Sequence, residues 1–146
     1  MGAGGAARAI VYGLKNKKAL VYILNRTLEK AEKLAKEFDA KVLNYKEQKK
    51  ISDFDIIINA TSVGMEPFSN ITPIDPSFLI KNQIVFDIVY NPKETKFLKE
   101  AKKKKTKVIY GFEMLLYQGV AQFEIYTGKK APVEVMRKVL EEKLKI

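Results

Sequence analysis

The run Gly2-Ala3-Gly4-Gly5-Ala6-Ala7 has the spacing G-x-G-x-x-[G/A], a pattern whose chemistry lies in the backbone rather than in side chains. Gly2 would turn the chain tightly, Gly4 would let the backbone approach a pyrophosphate, and the small Ala7 would let a helix pack closely on a strand. A helix opening at this turn presents unpaired N–H groups and a positive dipole end to phosphate oxygens. Alone, the same residues also fit a glycine-rich terminal tail or a tag remnant. A second position favours the chemical reading. Asn25-Arg26-Thr27 ends an apolar run about 20 residues beyond Gly4, where NAD-binding folds keep an acid for the ribose 2′-hydroxyl. No acid stands here. The Arg26 guanidinium can fork onto a 2′-phosphate, Thr27 offers a hydroxyl, and Lys30 lies one helical turn on. The pair predicts NADP(H) over NAD(H); the plain alternative makes Arg26 a surface residue and Thr27 only a helix cap.

Composition narrows what else the chain can do. It has 146 residues, enough for one domain spanning 1–146, with 47% apolar residues to fill a core. The absence of both Cys and His excludes disulfides, thiolate nucleophiles, Cys/His zinc sites and histidine acid–base schemes within this chain. The net charge of +10 permits a polyanionic partner. Its lysines, however, are scattered along helices and bunched at Lys102–Lys105, which reads as a solvated surface. Aromatic residues are not interleaved with basic ones in any recognised motif, so no nucleic-acid partner is expected. No apolar run is long enough to span a bilayer and no signal peptide is visible. Together with the missing cysteines, this leads to the expectation of a cytoplasmic protein.

The elements that must position these residues alternate along the chain. Ala6–Leu14 reads as a helix leaving the glycine turn, and Ala19–Leu24 as a buried strand. Leu28–Phe38 has apolar residues at helical spacing, with Thr27 as N-cap but Lys30 where a capping box needs an acid. Lys41–Leu43, Asp55–Asn59, Ile84–Asp87 and Lys107–Tyr110 read as further strands. Thr95–Lys104, Phe112–Tyr126 and Pro132–Leu144 read as helices, with Gly128 as a stop and Pro132 as a start. Continuous apolar strands between amphipathic helices predict an α/β fold, a Rossmann-type doubly wound parallel sheet. In that fold a strand precedes the glycine turn at the centre of the sheet. Met1 stands where its last residue would be, so the sheet is expected to lack its first central strand. Two mid-sheet edges would then be unpaired, giving low stability, self-association through the edges, or a partner that supplies the strand.

Four blocks, in this order, resemble the shikimate dehydrogenase family over essentially the whole chain: Gly2 to Ala9; Asn25-Arg26-Thr27; Asn59-Ala60-Thr61-Ser62-Val63-Gly64-Met65; and the pair Asp87-Ile88-Val89-Tyr90-Asn91-Pro92 with Gly111-Phe112-Glu113-Met114-Leu115-Leu116-Tyr117-Gln118-Gly119. The first block is shared by many oxidoreductases; the last two are more specific. The resemblance implies cofactor contacts from Gly2, Ala3, Gly4, Gly5, Ala6, Asn25, Arg26, Thr27, Lys30, Asn59, Thr61, Ser62, Ile88, Gly111 and Met114. It implies substrate contacts from Tyr90 and Gln118. By themselves Asn59 and Thr61 also fit a capped strand end, Tyr90 a turn residue, Met114 a core residue and Gln118 a solvent-facing helical residue.

The resemblance further implies NADP(H)-dependent hydride exchange between 3-dehydroshikimate and shikimate in aromatic amino-acid biosynthesis. The proton-transfer Lys–Asp pair and most substrate contacts of the family sit in an N-terminal domain. No residue of this chain matches them, so none is assigned a catalytic role and the chain alone is expected to be inactive. Shikimate or 3-dehydroshikimate would be bound jointly with that other domain. Three other readings remain: a quinate/shikimate paralogue, a glutamyl-tRNA reductase-like enzyme, and a non-catalytic nucleotide-binding module paired with a separately encoded chain.

Overall fold

The computed structural model describes residues 1–144. Helix α1 (Gly5–Asn16) leaves the glycine turn, strand β1 (Tyr22–Leu24) follows, then α2 (Leu28–Phe38) and β2 (Lys41–Leu43). A 3-10 segment over Tyr45–Asp53 leads into β3 (Ile56–Asn59), and a 3-10 turn, Pro76–Phe78, precedes β4 (Ile84–Asp87). The chain ends with α3 (Lys96–Lys103), β5 (Lys107–Ile109), α4 (Gly111–Thr127) and α5 (Val133–Leu144). The element types agree with the sequence reading. β1 is shorter than expected, because its ladder is formed only where β2 lies beside it. The sequence pattern assigns no element to the two 3-10 segments. The first starts at a capping box: Asn44 Oδ1 accepts from Lys46 N and the Glu47 carboxylate accepts from Asn44 N.

All strand pairs are parallel. β1 pairs with β2 in one sheet, Tyr22 opposite Lys41, while the second sheet has the order β3-β4-β5, Ile57 opposite Val85 and Val85 opposite Val108. Among the described residues the two sheets are joined by backbone bonds at one level, that of Met1 and Gly2. Gly2 N donates to Leu24 O at 2.8 Å, Ala60 N donates to Met1 O at 2.8 Å, and the Met1 amine donates to Ile58 O at 2.5 Å. These two residues therefore occupy the last rung of a strand between β1 and β3. Below them, among the described residues, no strand lies between β1 and β3.

Apolar packing covers both faces. On one, α1 and α2 bury Ala7, Val11, Ala31 and Leu34 against Ile23 of β1 and Val21 just before it. On the other, Phe97, Leu98 and Ala101 of α3 pack with Val85, Ile57, Leu24 and Leu43. That second cluster contains residues of both sheets, so it and the Met1–Gly2 rung hold the two halves together. The arrangement is a Rossmann-type α/β fold.

Candidate functional site

Because the strands are parallel, the segments that follow β1, β3, β4 and β5 emerge at one end of the sheet, the end at which such folds bind ligands. The glycine turn lies there too. Gly2 has φ +104°, and a Cβ on it would sit 2.7 Å from Ala60 O. It must be glycine both for its backbone angle and for its contact with the segment after β3. Gly4 is the N-cap of α1 and makes no side-chain cap; Arg8 N to Gly4 O at 3.0 Å is the first intrahelical bond. The amides of Gly5, Ala6 and Ala7 precede that bond and have no carbonyl within the helix. No acidic residue lies in the first turn of α1. A Cβ at Gly4 or Gly5 would meet nothing within 4 Å, so the protein's own packing does not demand glycine there, whereas a close-lying phosphate would. Ala7, the third small position, is buried between α1 and the sheet.

Past β1, the half-buried Asn25 donates its amide to Thr27 O at 2.8 Å, while Arg26, Thr27 and Lys30 are exposed. Thr27 occupies the N-cap position of α2, as expected, yet its hydroxyl makes no capping bond. Arg26 lies close enough to Tyr45 to influence it: burial pushes the Tyr45 hydroxyl above its ordinary value, and the nearby guanidinium opposes that shift. No carboxylate stands in the Asn25-Arg26-Thr27 segment. These residues fit a 2′-phosphorylated dinucleotide, with amides for the diphosphate and a guanidinium for the additional phosphate.

The segment after β3 is shaped from within. Asn59 is fully buried; its amide donates to Val63 O and to Asp87 Oδ1, each at 2.9 Å, and its carbonyl accepts from Thr61 N and the Thr61 hydroxyl. The Thr61 hydroxyl also accepts from Val63 N at 3.1 Å. The polar groups of Asn59 and Thr61, expected to face a ligand, are thus engaged internally and fix the loop's course; Ser62 is exposed beside them. The hub of this network, Asp87, was not singled out from the sequence. It is buried at the end of β4 and accepts from Asn59, from Val89 N at 3.0 Å and from the Thr95 hydroxyl at 2.7 Å. Burial raises its pKa, and the three donated bonds oppose the rise. Asp87 two residues before Val89, with Thr95 capping α3, is a signal of buried acceptor and local donors that only three-dimensional pairing makes readable.

Gly111 opens α4 against the end of β4: a Cβ there would lie 2.4 Å from both Ile88 O and Val89 O. The structure thus brings Gly111 and Ile88 together. Met114 and Gln118 follow at helical spacing on one face of α4 and share an open concavity of about 520 Å³ with Phe86, Ile109, Glu113 and Tyr117. Met114 is half-buried and Gln118 exposed, as is Tyr90 at the end of the β4 loop.

A parallel, doubly wound sheet with a glycine turn at its carboxyl end defines an α/β domain of the Rossmann type. Comparison with known proteins narrows this further. A family profile described as shikimate / quinate 5-dehydrogenase matches residues 1–103, and one described as shikimate 5'-dehydrogenase C-terminal domain matches residues 111–141. The chain belongs to the shikimate/quinate 5-dehydrogenase family. It is 43% identical to shikimate dehydrogenase (NADP(+)) of Methanococcus maripaludis, over 100% of this chain and 54% of the relative. A crystal structure of a shikimate dehydrogenase in complex with NADP+ superposes with a TM-score of 0.90 at 42% identity, covering 98% of this chain and 53% of the other. The Thermus thermophilus shikimate 5-dehydrogenase in complex with NADP(H) and shikimate gives a TM-score of 0.89 at 33% identity, covering 97% and 52%. The chain therefore spans about half the length of these relatives. No helix among the described residues is long and apolar enough to cross a membrane.

Proposed function

We propose that this chain forms the NADP(H)-holding part of a shikimate dehydrogenase, which reduces 3-dehydroshikimate to shikimate by hydride transfer in aromatic amino-acid biosynthesis. The observation that carries this reading is the pairing of two anchors at one end of the sheet. The open amides of α1 receive a diphosphate, and Arg26, in the place of an acid, receives a 2′-phosphate. The relatives' names, which specify shikimate dehydrogenase and NADP(+), support it over the glutamyl-tRNA reductase reading.

In this reading Gly2, Ala3, Gly4, Gly5 and Ala6 line the diphosphate, while Asn25, Arg26, Thr27 and Lys30 surround the phosphorylated ribose. Ile88, Gly111 and Met114 flank the nicotinamide, and Asn59, Thr61 and Ser62 shape the loop on its other side. The bound dinucleotide supplies the hydride; the chain supplies position. Tyr90 and Gln118 are placed toward the substrate, Gln118 offering an amide to a hydroxyl. None of these residues is a proton-transfer pair, so the chain by itself binds NADPH weakly at best and does not turn over, and substrate is held jointly with another domain.

The test is a titration of the chain and of its Arg26→Ala variant with NADPH and NADH. A charge-assisted phosphate contact is worth roughly 1.5–3 kcal/mol, so NADPH affinity should fall about tenfold to a hundredfold and NADH affinity should not change. Equal NADPH affinity in both proteins overturns the assignment. Shikimate oxidation by the purified chain would overturn its proposed dependence on a further domain.

A further inference from the structure

We propose that Asp87 is a positioning residue: its one carboxylate fixes both walls of the nicotinamide slot, so the nicotinamide half of the cofactor depends on it and the adenosine half does not. The inference rests on the cofactor reading above and extends it to a fully buried residue.

Asp87 and Asn59 face each other across the last rung of β3 and β4. One side-chain repeat earlier, the same two positions hold Ile57 and Val85, which pack into the apolar cluster with Phe97 and Leu98. Side chains two apart on a strand share a face, so an apolar pair at the last rung would simply extend that cluster. The chain buries a carboxylate there instead. Its three donors, an amide, a backbone N–H and a hydroxyl, carry no charge. Burying a carboxylate in this way costs stability that an apolar pair would not. The packing of the core does not call for it; the segments beyond the rung do.

Each bond to the carboxylate fixes a different segment. Oδ1 accepts from Val89 N at 3.0 Å, and this holds the backbone whose carbonyls, Ile88 O and Val89 O, lie against Gly111. That is the wall of Ile88, Gly111 and Met114. Oδ1 also accepts from the Asn59 amide at 2.9 Å, and the same amide donates to Val63 O. The Asn59 side-chain oxygen is thereby left to accept from Thr61 N and the Thr61 hydroxyl. That is the opposite wall, of Thr61 and Ser62. A carboxylate only accepts, so it decides which end of Asn59 faces it. An amide at this place would accept either end, and the Thr61 wall would lose its fixed acceptor. Oδ2 accepts from the Thr95 hydroxyl at 2.7 Å, and Thr95 caps α3, so both walls are held against one helix. Gly64, at φ +107°, turns the loop back onto the same hub: a Cβ on it would lie 3.1 Å from Thr95 Cγ2.

The anchors of the adenosine half lie outside this network. Arg26, Thr27 and Lys30 belong to the end of β1 and the start of α2. Among the described residues no hydrogen bond joins them to Asn59, Asp87 or Thr95.

The test titrates the 146-residue chain with NADPH and with adenosine 2′,5′-bisphosphate, which lacks the nicotinamide, and follows the amide NMR shifts. The parent is compared with Asp87→Asn, Thr95→Val and Thr95→Ser. For Asp87→Asn, NADPH affinity should fall about tenfold, the worth of one well-placed hydrogen bond, while bisphosphate affinity stays as it was. Thr95→Val should move the balance in the same direction, and Thr95→Ser, which keeps the hydroxyl, should match the parent. The two Thr95 variants leave the carboxylate in place and carry the test where Asp87→Asn is too unstable to titrate. The proposal fails if a folded variant loses affinity for both ligands alike, as general loosening would cause. It fails too if NADPH affinity is unchanged in Asp87→Asn and Thr95→Val, or if Thr95→Ser behaves as Thr95→Val does. A wrong cofactor reading gives a different result: the parent then binds neither ligand, and this inference falls with it.

Discussion

At the scale of single residues, two glycines of the candidate site are glycine for opposite reasons, and substitution separates them. Gly111 has protein atoms where a Cβ would go, with two carbonyl oxygens at 2.4 Å, and Gly4 has none within 4 Å. Gly111→Ala forces α4 away from Ile88 and Val89 and should destabilise the fold by about 1–3 kcal/mol, the usual effect of overpacking. Gly4→Ala should cost only the up to about 1 kcal/mol that alanine loses against glycine at an N-cap, while weakening NADPH binding. A urea melt of both variants with an NADPH titration distinguishes the two; a Gly4→Ala protein that binds as tightly as the parent would remove the glycine turn from the site. Asp87 gives a third case. All three of its partners donate to it, so Asp87→Asn replaces one acceptor oxygen by a donor and makes the Thr95 hydroxyl, which already accepts from Leu98 N, reverse its bond. A loss of about 1–3 kcal/mol is expected for the group left unsatisfied, with altered NMR shifts along Asn59–Gly64. Little of this hub was legible in the sequence, because Asn59, Asp87 and Thr95 are brought together by the pairing of β3 with β4 and not by spacing. Arg26 and the glycine turn were legible because their geometry is local, each fixed by a strand end next to a helix start.

At the scale of elements, periodic apolar residues announced every α-helix, while the 3-10 segment over Tyr45–Asp53 has Ile51 as its sole buried residue and so shows no apolar stripe. Its readable sign was the Asn44–Glu47 capping box at its start. The last two helices are tied by a forked ion pair, Arg137 to Glu113 at 2.7 and 2.9 Å, and the guanidinium holds the Glu113 carboxyl below its ordinary value of 4.5. A carboxyl with a lowered folded-state pKa contributes stability that is fully present above 4.5 and is lost as pH falls through the folded value. α5 should therefore loosen on acidification below that point while the sheet is still folded. Because the pair is partly exposed, its contribution is small, about 1 kcal/mol or less. Glu113→Gln should reproduce the loosening at neutral pH, read as faster amide exchange in α5 and unchanged exchange in β4. Equal exchange in variant and parent would show that apolar contacts alone hold α5.

At the scale of the whole molecule, the two sheets meet through one rung and one shared apolar cluster, and that thin connection has a measurable consequence. β4 is flanked on both sides and contains the fully buried Val85 and Asp87, whereas among the described residues β1 is paired on one side below the level of Leu24. Local opening is easiest where backbone bonds are few and apolar contacts sparse. The unit of α1, β1, α2 and β2 should then exchange its amides at least roughly tenfold faster than β4. A dinucleotide would touch both units, through Arg26 and the α1 amides on one side and through Ile88 and Gly111 on the other. Saturating NADPH, at a hundredfold over its Kd, adds about 2.7 kcal/mol to the folded state, and most of that should appear as slower exchange in the weaker unit, narrowing the gap. Exchange mass spectrometry with and without NADPH measures both quantities. Uniform protection in the free chain, or ligand protection confined to α1 and β1, would mean that the two halves are joined more firmly than Met1, Gly2 and the shared cluster provide, or that the ligand does not bridge them.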